Sequence, residues 1–275
     1  MRYRSIFREA LFDGQVIIVT GGGTGIGRSI AHELASLGAV VVLASRKLAK
    51  LEPTRDEILA SGGKALAVAC DIRSLEQIES LIKTVMERYG RIDGLVNNGG
   101  GQYISPAEDI RPNGWQAVLE TNLTGVFQIT KAVMLASMQQ HGGAIVNILM
   151  DNWDGFPGMA HSGAARAGVE NLTKTLAVEW APFHIRINSI APGIIKSSGL
   201  ANYDPAILTN LEQYIPVRRL GSESEVAAAI TFLLSPGASY ITGATLRVDG
   251  AGSLWRSNYE MRDHAPTPPY NGFEE

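Results

Sequence analysis

The stretch that most limits what this chain can fold into is Thr20-Gly21-Gly22-Gly23-Thr24-Gly25-Ile26-Gly27. It follows directly on the apolar run Val16–Val19 and runs into a stretch of helical period. A strand that turns at once into a helix needs positive φ angles, close backbone approach and tight helix–strand packing, and glycine serves all three. In that context the turn is a phosphate cradle. Free N–H groups and the macrodipole of the following helix favour an anion there. The spacing, Gly21, Gly25 and Gly27, differs from the common G-x-G-x-x-G.

The rest of the chain continues the pattern. Short β-branched runs predict strands at Gln15–Thr20, Ala39–Ser45, Lys64–Cys70, Gly94–Asn97, Gly143–Ile148, Ile185–Ile190 and Ala244–Val248. Between them, helices are predicted at Gly25–Leu37, Ala49–Ala60, Leu75–Tyr89, Trp115–Gln140, His161–Phe183 and Glu223–Leu234. This alternation implies an α/β single-domain Rossmann fold, a doubly wound parallel sheet of about seven strands covered on both faces. Residues 14–250 form the expected core of one domain spanning 1–275, with 251–275 as a C-terminal extension. Ser222 and Glu225 have the spacing of a capping box. The proline-bearing tail Ser257–Glu275 is expected to be extended or partly mobile, and Ile195–Tyr214 is a candidate substrate lid.

Composition excludes several classes. A net charge of −3 and 19% charged residues give no basic stripe for nucleic acid. Apolar runs are too short to span a bilayer, and Met1–Phe12 has no apolar leader core. Cys70 is the only cysteine, read as a small buried hydrophobe in a reducing compartment. No His, Cys or acidic cluster has metal-ligand spacing, so no metal is expected.

With these markers in order, the chain resembles the short-chain dehydrogenase/reductase family over roughly Gly14–Gly250. The resemblance places Gly21, Thr24, Gly25, Ile26 and Gly27 on the cofactor pyrophosphate. It places Asp71 and Ile72 at the adenine, Asn98, Gly99 and Gly100 after strand four, and Pro192, Gly193 and Ser197 near the carboxamide. Strand two ends Ala44-Ser45-Arg46-Lys47, with no acid to accept from a ribose 2′-OH. Arg46, helped by Ser45 and Lys47, suits a 2′-phosphate, so NADP(H) is expected over NAD(H).

The catalytic stretch departs from the family's Ser…Tyr-x-x-x-Lys. Here it reads His161-Ser162-Gly163-Ala164-Ala165-Arg166, which puts Ser162 in place of tyrosine and Arg166 in place of lysine. Val146-Asn147-Ile148-Leu149-Met150 also lacks the family's serine. A serine hydroxyl is a poor acid for protonating an alkoxide, so the site suits a reaction in which an oxyanion is held. These residues, with Asn98-Gly99-Gly100-Gly101-Gln102-Tyr103, are similar to the peroxisomal trans-2-enoyl-CoA reductases and, more loosely, the 2,4-dienoyl-CoA reductases. The resemblance implies NADPH-dependent reduction of an acyl-CoA substrate, a homotetramer, and Ser162, Arg166 and Asn122 as catalytic-site residues. A 2,4-dienoyl-CoA reductase, an alcohol or aldehyde oxidoreductase and a non-enzymatic NADP(H)-binding scaffold stay open. Asp151 and Asn152 follow strand five, where a turn or capping role is favoured over proton supply. His161 is read as packing and Glu170 as structural, able to pair with Arg166. Arg218 and Arg219 could meet CoA phosphates or be exposed. The chain ends Phe273-Glu274-Glu275 without a peroxisomal tripeptide, so a bacterial cytoplasm is the expected setting.

Overall fold

Each predicted strand forms, and at the centre of the sheet the reason lies in two-sided burial. A computed structural model of the protein describes residues 3–151, 153–202, 209–255 and 259–273. Its strands are β1 (Val16–Thr20), β2 (Val40–Ser45), β3 (Lys64–Ala69), β4 (Gly94–Asn97), β5 (Gly143–Ile148), β6 (Ile185–Pro192), β7 (Ile195–Lys196), β8 (Gly221–Ser222) and β9 (Thr245–Val248). Seven of them make one parallel sheet in the order β3-β2-β1-β4-β5-β6-β9, while β7 pairs with β8. Successive side chains of a strand face opposite ways. Ile17 and Val19 therefore pack with Ile30 and Leu34 on one face, and Val16 and Ile18 with Leu81 and Val85 on the other.

The helices are α1 (Gly25–Ser36), α2 (Glu52–Ala60), α3 (Leu75–Tyr89), α4 (112–141), α5 (Ala160–Glu179) and α6 (Glu223–Leu234). Helices α1 and α6 cover one face, and α3, α4 and α5 the other, which is a doubly wound single α/β domain. The strand order reverses between β1 and β4, and ligands of such sheets bind at the carboxyl ends beside that switch. No helix among the described residues is long and apolar enough to cross a membrane.

Several boundaries differ from expectation. Pro53 stands at the start of α2, so the predicted Ala49–Ala60 divides into a 3₁₀ turn, Leu48–Lys50, and the helix proper. Helix α4 starts earlier, with Pro112 in its first turn, and contains π turns at Glu120–Thr124 and Met134–Met138. Helix α5 stops at Glu179 and is followed by a 3₁₀ turn, Ala181–Phe183, closed by His184 in the left-handed conformation. Cys70 lies just beyond β3, buried, with its thiol pushed up to about 11 by that burial.

The described part of the C-terminal tail, residues 259–273, is irregular and tied down. Arg219 donates to the carbonyls of Thr267 and Pro268, and Ser222 Oγ to that of Tyr270. Gly272 accepts from Arg4 N–H, and Tyr3 bridges to Phe273. The capping box forms: Ser222 Oγ accepts from Glu225 N–H at 3.1 Å, and Glu225 accepts from Ser222 N–H at 2.8 Å. Because Ser222 both caps α6 and holds the tail, Ser222→Ala should lower stability by about 1–2 kcal/mol. Ser222→Thr should lose less, both read from urea denaturation midpoints.

Candidate active site

At the end of β1 the backbone comes so close to itself that side chains are excluded. A Cβ on Gly27 would lie 2.2 Å from the Gly21 carbonyl oxygen, and one on Gly23 2.1 Å from that of Lys50. Gly21 and Gly25 have positive φ, +66° and +57°. The turn is stitched to the end of β4. Thr20 Oγ1 accepts from the N–H groups of Asn98 at 3.0 Å and Gly99 at 2.8 Å. Asn98 Nδ2 donates back to the carbonyls of Thr20 at 2.9 Å and Gly21 at 3.2 Å. Thr24 is the N-cap of α1, extended and exposed, with no side-chain cap bond, and Ile26 packs half-buried behind it.

The other expected cofactor residues lie along the same carboxyl edge. Arg46 and Lys47 are exposed just after β2, and Ser45 Oγ donates to the Lys47 carbonyl at 3.3 Å. Asp71, after β3, grips Arg73 through two parallel bonds of 2.9 and 2.6 Å, which hold its carboxyl below the usual range. Its carboxylate is thus engaged within the chain, while Ile72 is buried and packs under Gly125 of α4. Pro192 ends β6, and Gly193 leaves no room for a Cβ, which would sit 2.8 Å from Asp249 Cα. Ser197 follows β7, near Gly25.

The residues expected at the catalytic site converge beside Gly100 and Gly101. Asn122, in the first π turn of α4, is fully buried and spends its amide on one residue. Its Oδ1 accepts from Gly101 N–H at 3.0 Å, and its Nδ2 donates to the Gly101 carbonyl at 2.9 Å. Asn122 therefore holds backbone rather than presenting a free amide, and the π turn brings it there. Arg166 is 7% exposed and donates through Nη1 to the Ile148 carbonyl at 2.7 Å. A Cβ on Gly100 would lie 2.5 Å from its Nη2, so that glycine makes room for the guanidinium. No carboxylate among the described residues is within salt-bridge distance of Arg166. Burial alone pushes it down to about 10, and its Nε has no partner among the described residues. Glu170 does not pair with it but with Lys174, at 2.7 Å.

Ser162 is fully buried one turn before Arg166, its Oγ 2.7 Å from Gln102 Oε1 and 3.6 Å from Met150 Sδ. Sequence reasoning gave Gln102 no role; only its place after the Asn98–Gly101 turn could have pointed to it. His161 Nδ1 accepts from Ser162 N–H at 2.8 Å, and its ring stands edge to face with Tyr103 at 4.5 Å. A buried polar ladder locks α5 to the sheet: Asn97 to Thr130 and Asn147, Asn147 to Thr173, Thr173 to Ser189. Asp151 is raised above the usual carboxylate range by burial and then by Asp249, whereas Asn152 lies outside the described residues. Arg219 is paired with Glu225 at 2.6 Å. Arg218 lines a cleft with Gln213, Tyr214, Trp255 and Tyr259, beside the Ile195–Tyr214 segment. Residues 203–208 of that segment lie outside the described residues.

Known proteins agree with this architecture. A family profile described as enoyl-(acyl carrier protein) reductase matches residues 21–252. A protein named as a probable 2,4-dienoyl-CoA reductase [(2E)-enoyl-CoA-producing] from Bacillus subtilis (strain 168) is 39% identical over 89% of this chain and 98% of its own. A 3-oxoacyl-[acyl-carrier-protein] reductase from Synechocystis is 40% identical over 86% of this chain and 96% of its own. The solved structure of the citronellol catabolism dehydrogenase (AtuB) of Pseudomonas aeruginosa PAO1 superposes with a TM-score of 0.84, at 52% identity over 91% of this chain and all of that one.

Two outcomes follow from the geometry. Gly27→Ala should leave the fold cooperative yet weaken dinucleotide binding by about 100-fold or more, measured by calorimetry, because its Cβ meets backbone. Arg166→Met removes a buried cation without a counter-charge, so the unliganded protein should keep its stability or gain about 1–2 kcal/mol in urea denaturation. A loss of several kcal/mol would mark Arg166 as a structural residue.

Proposed function

The chain belongs to the short-chain dehydrogenase/reductase family of oxidoreductases, whose fold binds a nicotinamide nucleotide, and we propose that it reduces the double bond of a trans-2-enoyl-CoA thioester with NADPH. One observation carries the proposal. The hydroxyl at the start of α5 belongs to Ser162, and the base beside it is Arg166, a buried cation that no carboxylate among the described residues offsets. Such a site is poorly equipped to give a proton to an alkoxide and well equipped to hold an anion.

The residues fit the dinucleotide. A glycine turn in which a Cβ on Gly23 or Gly27 would meet backbone opens a helix, and Arg166, buried beside Gly100, has an Nε with no partner among the described residues. When bound, NADPH supplies the hydride that the β-carbon of the enoyl group accepts. Arg166 binds the nicotinamide ribose hydroxyls, and its charge favours the enolate-like oxygen that develops on the thioester. Ser162 Oγ can donate to Gln102 Oε1 or, with the amide turned, accept from its NH₂. In the second arrangement its proton is free for the thioester oxygen. Asn122 positions the Gly100–Gly101 backbone against which the reacting groups lie. A solvent proton completes the α-carbon. Tyr103, the nearby aromatic, packs its ring on His161 and its hydroxyl against Gly114.

Arg46 supports NADPH over NADH, since it is exposed after β2 and no acid stands there to meet a ribose 2′-OH. A second reading, reduction of a 2,4-dienoyl-CoA, is favoured by the name of the Bacillus relative. Assembly as a homotetramer is supported by the large apolar side chains exposed on α4 (Trp115, Phe127, Leu135) and around the sheet edge at β9 (Phe232, Tyr240, Leu246).

Loss of NADPH absorbance on adding crotonyl-CoA or a longer enoyl-CoA tests the proposal. Faster turnover of a dienoyl substrate would favour the second reading, and tight binding without turnover of any thioester would leave a scaffold. Arg46→Ala should raise the KM for NADPH about 10- to 100-fold and barely change that for NADH, the loss expected for a charged hydrogen bond.

A further inference from the structure

Glu223, the first residue of α6, stands apart from the capping box that surrounds it. Its neighbour Glu225 is committed to Arg219 and to the Ser222 N–H. Glu223 instead reaches across to the glycine turn. A Cβ on Gly25 would lie 3.7 Å from its Oε1, 3.1 Å from Ser198 Oγ and 3.9 Å from Ser197 Cβ. Its carboxylate accepts from the backbone N–H of Ser198. The segment after β7 is therefore pinned onto the residue that opens α1, by an acid placed where a pyrophosphate is expected.

The charges around it are few. From α1, Arg28 faces Glu223 and draws its pKa down, but Arg28 is shared with Glu57 at 2.8 Å and with the Phe273 ring at 4.6 Å. The 195–202 segment offers Glu223 hydroxyls and backbone N–H through Ser197 and Ser198. On its own helix, Glu225 is neutralised by Arg219. Burial prevails over the Ser198 bond and Arg28, and the group titrates above the usual glutamate range. An incoming pyrophosphate adds negative charge beside a carboxylate that already resists ionisation.

We propose that Glu223 is a proton-linked positioning residue: ionised, it latches Ser197–Ser198 over the glycine turn, and it takes up a proton when a dinucleotide pyrophosphate arrives. Protonated, its O–H donates to a phosphate oxygen instead of repelling it. This rests on the dinucleotide reading of the turn, and not on the identity of the reduced substrate. The sign follows from linkage. Binding raises the pKa of Glu223 further, so affinity is greatest below its free value. It falls as pH rises between the free and bound values, by at most tenfold per pH unit, and is flat above both.

Calorimetric titration of the full chain with NADP⁺ and with NAD⁺, from pH 5.5 to 8.5 in buffers of different ionisation enthalpy, measures both affinity and protons taken up. NAD⁺ lacks the 2′-phosphate, whose own titration near pH 6 would otherwise overlap. Wild type should take up a fraction of a proton with either nucleotide. Glu223→Gln, which keeps an acceptor for Ser198 and gains a donor, should abolish that uptake and bind about tenfold tighter at pH 8. Glu223→Ala should free the latch, so that limited proteolysis cuts the 195–202 segment faster. Proton uptake and affinity unchanged in Glu223→Gln would overturn the proposal. Absence of any dinucleotide binding by wild type would overturn the reading of the turn itself, and the latch with it.

Discussion

The carboxyl edge of this sheet is organised by the contact of one backbone with itself, Gly27 against the carbonyl of Gly21. That approach sets where α1 begins and aims its free N–H groups outward. Asn98 then fills the space beside it, bonding the carbonyls of Thr20 and Gly21, while Thr20 returns two bonds to the end of β4. The turn after β1 and the turn after β4 are thus one unit. Gly100 and Gly101 continue it to Arg166 and Asn122, so the cofactor cradle and the chemical site share a single stretch of backbone.

Against that rigid frame Arg166 is an expense in free energy. A buried guanidinium with one carbonyl for a partner and an empty Nε is worse solvated than in water, and burial alone lowers its pKa. Folded proteins tolerate such a charge where a ligand completes it. The polar ladder Asn97–Asn147–Thr173–Ser189 holds α5 in place while Arg166, in its second turn, carries this cost.

The centre of the sheet could be read from the residues because its strands are buried on both faces, and Val40–Ala44 or Ile145–Ile148 then look the same in sequence as in structure. The glycine turn was legible for a steric reason that needs no tertiary knowledge. What could not be read depends on partners far away in the chain. The π turn at Asn122 exists to reach Gly101, and the tail is fixed by Arg219, Ser222 and Tyr3. The bond from Ser162 to Gln102 spans 60 positions and follows no spacing rule. Glu223 meets Gly25 only because α6 packs against the turn, a contact between residues far apart in the chain.

Hydride is delivered to the β-carbon of the enoyl group rather than to a carbonyl carbon, and the destination of an isotope answers it. With NADPH deuterated at the transferable position and an enoyl-CoA in ordinary water, NMR of the product should find deuterium on C3 and a solvent proton on C2 of a saturated acyl-CoA. Deuterium on a carbinol carbon, with the double bond of the substrate intact, would contradict the account.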